Sequence, residues 1–134
     1  MNFILRETQP LNLTINGVEY PAIWNFKAIA IMEDYTGFMH LYTLARFKKE
    51  QFEPKEFIGA LLGVLKAAGV TYEIDGKDVL ADALMQSVRP SEEKEIQKQL
   101  MVIISAQGDQ PAEGEPKNAL KLPRKTSKTS GTTD

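Results

Sequence analysis

The sequence predicts an α+β domain that is mainly α, with an N-terminal β-hairpin followed by about five helices. Alternating apolar residues flank an Asn-Gly pair near the start of the chain. Helix start and stop signals recur over residues 25–108, and the composition changes at Gly108. We therefore assign residues 1–108 to one domain and residues 109–134 to a disordered, partly basic tail, which has too little apolar surface to offset its ordering entropy.

The hairpin is predicted over residues 10–24, PLNLTINGVEYPAIW. Apolar and polar residues alternate there with the period of a half-buried strand. Asn16 and Gly17 both tolerate the positive φ angles of a two-residue type I′ turn. Pro21 has no N–H group, so its nitrogen should face away from the partner strand. Because an isolated hairpin is only marginally stable, this one should lie on a helix layer or on another chain.

The first predicted helix, FKAIAIMEDYTG, has Asn25 as its N-cap and Gly37 at its left-handed end. It is apolar on most sides, which predicts a central and largely buried helix. The second helix is expected over residues 38–49. Its apolar positions are expected to be Met39, Leu41, Tyr42, Leu44 and Ala45.

The third helix should begin at Pro54, which is favoured at a first helical position, and should end at Gly69. Its predicted buried stripe consists of Phe57, Ile58, Leu61, Leu62 and Leu65. Gly59 and Gly63 lie four residues apart in this helix, which favours close packing against another helix.

Two more helices are expected after a short extended segment at residues 70–74. Asp75 and Asp78 resemble a capping arrangement for the fourth helix, DVLADALMQSV. Its inward residues should be Val79, Leu80, Ala83 and Leu84. The fifth helix, EEKEIQKQLMVIISAQ, follows Pro90 and ends at Gly108. Its predicted apolar stripe is Ile96, Leu100, Ile103 and Ile104.

The composition excludes several classes of protein. The chain has 134 residues, 16 Lys and Arg against 18 Asp and Glu, a formal charge of −2 and no cysteine. Without cysteine there is no disulfide, thiol nucleophile or thiolate metal site. No apolar run approaches the roughly 18–20 residues that a membrane span needs, and MNFILRETQP is too short for the apolar core of a signal peptide. A soluble cytoplasmic protein without a membrane partner is the expectation.

Motifs for catalysis, metals and nucleic acids are weak. His40 is the only histidine, so a two-histidine metal site and an HExxH motif are excluded. As a general base it would need a positioned partner, and a structural or interfacial role is the favoured interpretation. The acidic clusters lie mostly at expected helix starts or exposed faces, so we expect no catalytic residue, metal or cofactor. Residues 117–128 are basic but lack an aromatic side chain for base stacking, so nucleic acid is not an expected partner.

The opening of the chain resembles that of the tail assembly chaperones of long-tailed phages and prophages. In that family a strand of the form TINGxEY is followed by a return strand and by a helix of the form FKAIxxMEDxTG. Here TINGVEY occupies residues 14–20 and FKAIAIMEDYTG occupies residues 26–37. The resemblance is close over residues 11–37 and extends more loosely, in hydrophobic pattern, to about residue 106.

The resemblance implies a protein that is not an enzyme. Members of the family bind the tape-measure protein, keep its long helices soluble and help to recruit tail-tube subunits. Such a chaperone is expected in the host cytoplasm and not in the mature virion. The open alternative is another tail structural or completion protein of a phage or prophage, which acts through protein–protein contacts. A third hypothesis is a small enzyme or a nucleic-acid-binding protein.

A partner-binding surface is expected on the hairpin and near the start of the second helix. The hairpin offers an edge for strand addition, and a flexible methionine suits adaptable apolar contacts. Self-association through the hairpin is equally open, because Pro21 and charged side chains could instead block that edge. The candidate partner-binding residues are Leu13, Ile15, Trp24, Phe38, Met39 and Tyr42.

Overall fold

The computed structural model describes residues 8–108 and confirms an α+β, mainly α fold. The hairpin consists of β1 (Leu11–Ile15) and β2 (Val18–Ala22). The helices are α1 (Phe26–Thr36), α2 (His40–Lys48), α3 (Pro54–Ala67), α4 (Leu80–Ser87) and α5 (Glu93–Gln107). A second, very short hairpin, β3 (Glu73–Ile74) and β4 (Lys77–Asp78), precedes α4, and a 3₁₀ turn, Pro90–Glu92, precedes α5. The predicted tail, residues 109–134, lies outside the described residues.

The first hairpin has the predicted turn. Its strands are antiparallel with Ile15 opposite Val18, and the turn residues Asn16 and Gly17 have φ angles of 55° and 76°. The residues that flank a two-residue turn form a hydrogen-bonded pair, and bonded and non-bonded pairs then alternate along the ladder. The pair that contains Pro21 is therefore a non-bonded one, and its nitrogen faces outward as expected.

The ends of α1 follow the sequence signals, but its predicted burial is wrong. Asn25 Oδ1 accepts a hydrogen bond of 3.0 Å from Ala28 N, and Gly37 has a φ of 80°. The helix is buried only along one stripe, Ala28, Met32 and Thr36. Phe26 is 85% exposed. Lys27, Glu33 and Asp34 give α1 a polar side that reaches solvent, so it is not the central helix.

The central helix is α3. Every residue from Glu56 to Leu65 is buried, and α3 contacts α1, β2, α4 and α5. The sequence FIGALLGVL is apolar on all sides of a helix, which is the pattern of a buried element. The predicted start at Pro54 is confirmed, and the predicted stripe from Phe57 to Leu65 is buried.

The two glycines of α3 allow α1 to approach closely, as predicted. A Cβ atom on Gly63 would lie 2.5 Å from the carbonyl oxygen of Ala28, and one on Gly59 would lie 2.5 Å from Cγ2 of Thr36. Both distances are far below van der Waals contact. The closest approach is thus made by small residues, Gly59 and Gly63 four apart on α3 and Ala28 and Thr36 eight apart on α1.

Of the apolar positions expected for α2, only Leu44 packs against the core, and it is half-buried. Its buried residues are Thr43 and Phe47, whereas Met39, Leu41 and Tyr42 are exposed. The ring of Phe47 lies 4.6 Å from that of Phe52, which in turn lies 5.8 Å from that of Phe57. This aromatic contact with α3 turns the other side of α2 to solvent.

The second hairpin was not expected. Asp75 and Gly76 form its turn, with φ angles of 53° and 77°, and Ile74 pairs with Lys77. Asp75 therefore belongs to a turn and does not cap α4. The N-cap residue is Val79, and Asp78 Oδ1 accepts a hydrogen bond of 3.1 Å from N of Leu80, the first residue of the helix.

Both α4 and α5 bury residues that were predicted to face inward. These are Leu80 and Leu84 in α4 and Ile96, Leu100, Ile103 and Ile104 in α5. The other oxygen of Asp78 pairs with Lys66 of α3, and this hydrogen bond lowers the pKa of the Asp78 carboxyl group. None of the helices within residues 8–108 has the length and apolar content needed to cross a membrane.

The α1–α3 contact can be tested with glycine substitutions. We expect Gly63→Ala and Gly59→Ala each to lower the free energy of unfolding, because overpacking costs about 1–3 kcal/mol and exceeds the gain in helix propensity. Thr36→Ser removes the Cγ2 methyl group that faces Gly59, so it should rescue Gly59→Ala but not Gly63→Ala, which meets backbone. Urea denaturation measures all of these variants. Unchanged stability of Gly63→Ala would contradict the close approach.

Candidate protein-binding surface

Half of the predicted partner-binding residues lie in the core. Leu13, Ile15 and Trp24 are 0%, 5% and 5% exposed. The alternation of Leu13 and Ile15 correctly predicts a half-buried strand, whereas Trp24 lies beyond the end of β2 at Ala22. The buried face is already covered by the protein's own helices. The expectation that these three side chains contact a partner is therefore corrected: they stabilise the domain.

The outer edge of β1 is also occupied. The side-chain amide of Gln99, on α5, accepts a hydrogen bond of 2.7 Å from Thr14 N and donates one of 3.0 Å to Thr14 O. Two turns further along, Gln107 accepts from Trp24 N at 2.8 Å and donates to Gln9 O at 2.6 Å. Strand addition along β1 would have to displace Gln99, and the outer edge of β2 contains Pro21, which cannot donate.

The other half of the predicted residues are exposed together. Phe38, Met39 and Tyr42 are 38%, 67% and 50% exposed, and Leu41, which was placed among the apolar positions of its helix and not in the site, is 63% exposed. The rings of Phe38 and Tyr42 lie 5.1 Å apart. We call these four residues the 38–42 patch. It lies on the connection between α1 and α2 and on the first turn of α2.

Hydrogen bonds hold the backbone of the patch. Thr36 Oγ1 accepts a bond of 3.0 Å from Phe38 N. Glu33 Oε2 accepts a bond of 2.8 Å from His40 N and lies 2.8 Å from His40 Nδ1. These bonds fix the chain on both sides of Met39. A surface that is held in this way loses less conformational entropy when a partner binds.

The carboxylate of Glu33 also serves the N-terminus of α2. Residues 38–49 contain no acidic residue, so this acid from α1 supplies the negative charge that the positive end of the helix dipole favours. The side-chain hydrogen bond with His40, followed by the bond from the His40 backbone, lowers the pKa of Glu33 below its ordinary value of 4.5. His40 thus has a structural partner.

A second carboxylate fixes α2 onto α3. The side chain of Glu56 is fully buried, and its oxygens lie 2.9 and 3.1 Å from Arg46 Nε. Glu56 Oε1 also accepts a bond of 2.8 Å from Glu53 N, and Thr43 Oγ1 donates to Glu56 Oε2 at 3.4 Å. The hydrogen bond to Glu56 raises the pKa of Arg46. The guanidinium group of Arg46 lies 5.3 Å from the centre of the Tyr42 ring, so the same pair orients one side of the patch.

A groove of about 310 Å³ lies on another side of the domain, between the turn of the first hairpin, residues 70–72 and α4. Its walls include Ile15, Tyr20, Leu65, Tyr72, Leu80 and Leu84, and none of its lining residues is charged. Within residues 8–108, no group of three or more His, Asp or Glu side chains could hold a metal ion. The groove can accept an apolar side chain, and its lining has no carboxylate, histidine or lysine for acid–base chemistry.

The Glu33–His40 contact predicts a pH dependence. A lowered carboxylate pKa stabilises the fold above the ordinary value of 4.5, and this stabilisation is lost as the pH falls through the lowered value. Glu33→Gln should therefore have a lower melting temperature than the wild type at neutral pH, and the difference should close as the pH falls below 4.5. Asp34→Asn, at the exposed neighbouring carboxylate, is the control. A difference that is constant with pH would refute the argument.

The hydrogen bonds between Gln99 and Thr14 predict that replacing Gln99 lowers the stability of the protein. Gln99→Ala leaves the N–H and C=O groups of Thr14 without their partners, at a cost of about 1–3 kcal/mol. Lys98→Ala, at the exposed neighbouring position, should change stability by less than about 0.5 kcal/mol. Denaturation measures stability, and size-exclusion chromatography measures any self-association through the opened edge. Equal stability of the two variants would show that the amide does not close the strand.

No protein-family model, curated protein or solved structure matches the chain significantly. A functional assignment therefore depends on the chain's own residues. The two features that bear on it are the motif over residues 11–37 and the exposed 38–42 patch that follows it directly.

Proposed function

We propose that this protein is a phage tail assembly chaperone, which binds the tape-measure protein through the 38–42 patch, keeps it soluble and helps to recruit tail-tube subunits. The observation that carries the proposal is the exposure of four large apolar side chains on a backbone held by hydrogen bonds. The sequence motif over residues 11–37 supports the choice of this family over other protein-binding proteins.

The patch has the properties that a helical client requires. Helical partners are commonly bound through apolar residues at i, i+3, i+4 and i+7 that lie against an apolar surface. The thioether of Met39 is flexible and adapts to different side chains, and Phe38 and Tyr42 provide large contact areas with few rotatable bonds. Leu41 extends the surface along α2. A chaperone that must engage several stretches of one long helix benefits from this combination.

The proposal gives no catalytic task to any side chain. Two carboxylates that bond to α2 are engaged in structural contacts, Glu33 with His40 and Glu56 with Arg46. The groove beside α4 is lined by uncharged residues. These contacts support a protein that acts by binding, as the resemblance implies.

Co-expression with the tape-measure protein of the same phage or prophage tests the proposal. The wild type should keep the tape-measure protein in the soluble fraction and co-purify with it, and Leu41→Lys should abolish both effects. Val102→Lys is the matched control, because Val102 on α5 is 64% exposed and Leu41 is 63% exposed. Insoluble tape-measure protein in the presence of the wild type, without co-purification, would refute the proposal.

The alternative, a tail structural or completion protein, differs in where the protein ends up. A chaperone acts in the host cytoplasm and leaves the assembled tail, whereas a structural or completion protein stays in it. Mass spectrometry of purified virions separates the two: the chaperone proposal expects no peptides of this chain, and a stoichiometric amount would favour the alternative.

A further inference from the structure

The exposed face of α2 changes from apolar to basic along its length. Leu41, Ala45 and Lys48 follow each other at helical spacing, and all three are exposed. Tyr42 and Lys49 lie beside this line and are also exposed. The apolar end is part of the 38–42 patch, and the basic end is the last turn of the helix and its C-cap.

The two lysines are the charges that this face presents to a partner. Arg46, between them and the patch, is engaged by the buried carboxylate of Glu56. The ion pairs within residues 8–108 involve His40, Arg46 and Lys66, and neither Lys48 nor Lys49 takes part in them. Because residues 38–49 contain no acidic residue, the net charge of this segment is positive.

We propose that this face binds an amphipathic client helix whose apolar residues are followed by acidic side chains about 10 Å further along the helix axis, the rise over seven residues. The proposal rests on the function given above and specifies the chemistry of the client segment. Apolar contacts provide most of the affinity, and the pairing of client carboxylates with Lys48 and Lys49 sets the direction and the register of the helix.

Charge on the rest of the surface favours a short acidic helix over an extended polyanion. Glu50 follows Lys49 directly and Glu53 lies three residues further on; both are exposed, as is Asp34 on α1. Nucleic acid or an anionic membrane, which would cover this whole area, would meet these carboxylates. A helix that lies along Leu41, Ala45 and Lys48 follows a line that contains no acidic residue.

Two synthetic helical peptides test the proposal with the full-length protein. They share one apolar face and carry either glutamates or lysines one to two turns beyond it. Fluorescence anisotropy should show about tenfold tighter binding of the glutamate peptide, since each exposed pair contributes roughly two- to fivefold. The preference should disappear at about 0.5 M salt. Lys48→Glu/Lys49→Glu should reverse it, and Lys94→Glu/Lys98→Glu, an equal change of charge on exposed positions of α5, should not.

Equal binding of the two peptides, or a preference that survives the reversal of Lys48 and Lys49, would overturn the proposal. Tighter binding to anionic lipid vesicles or to single-stranded DNA than to the glutamate peptide would do the same. The proposed function fails separately. If co-purification with the tape-measure protein requires Leu41 but tolerates Lys48→Glu/Lys49→Glu, the proposed function stands and the acidic-helix inference is wrong. If the protein distinguishes the two peptides but binds no tape-measure protein, the proposed function is wrong.

Discussion

The close approach of α1 to α3 is the constraint on which the rest of the structure depends. Gly59 and Gly63 leave room for the backbone of α1, and no larger residue fits there without movement. The same contact fixes the chain at both ends of α1. At one end Ile23 N donates a hydrogen bond of 3.0 Å to Val64 O of α3, and at the other end Glu33 reaches the start of α2. The position of the patch therefore follows from the packing of two glycines.

Two carboxylates from neighbouring helices then set the orientation of α2. The helix has no acid of its own, and it is held by Glu33 at its N-terminus and by Glu56 in its middle. Burying a charge such as Glu56 carries a desolvation cost that a well-formed pair offsets only in part, so this contact specifies an arrangement more than it adds stability. The arrangement turns Phe47 inward and leaves Leu41 and Tyr42 in solvent. The exposed surface is thus a consequence of these polar contacts together with the aromatic contact of Phe47 with Phe52.

The sequence predicted those elements whose signals are local. The turn at Asn16, the cap at Asn25 and the start at Pro54 each depend on one or two residues and their neighbours, and all were found where expected. It did not predict which side of α2 is buried, because the tilted ring contact of Phe47 with Phe52 and the bond from Thr43 to Glu56 are tertiary contacts. For the same reason Leu13 was placed in the binding surface. The hydrogen bonds of the Gln99 amide to Thr14 had one weak sequence signal. Gln99 is a polar residue beside the apolar stripe of α5, and a second glutamine, Gln107, follows eight positions later.

The contact between Gln99 and Thr14 has a consequence for folding during translation. Gln99 lies 85 residues after Thr14 in the chain, and at about 5–20 residues per second the ribosome needs roughly 4–17 s to cover that distance. During this interval β1 has already been translated, but Gln99, whose side chain covers its edge, has not. A nascent polypeptide with an open strand can pair with another one on the same message. The edge of β1 is thus closed only after nearly all of the described domain has been translated.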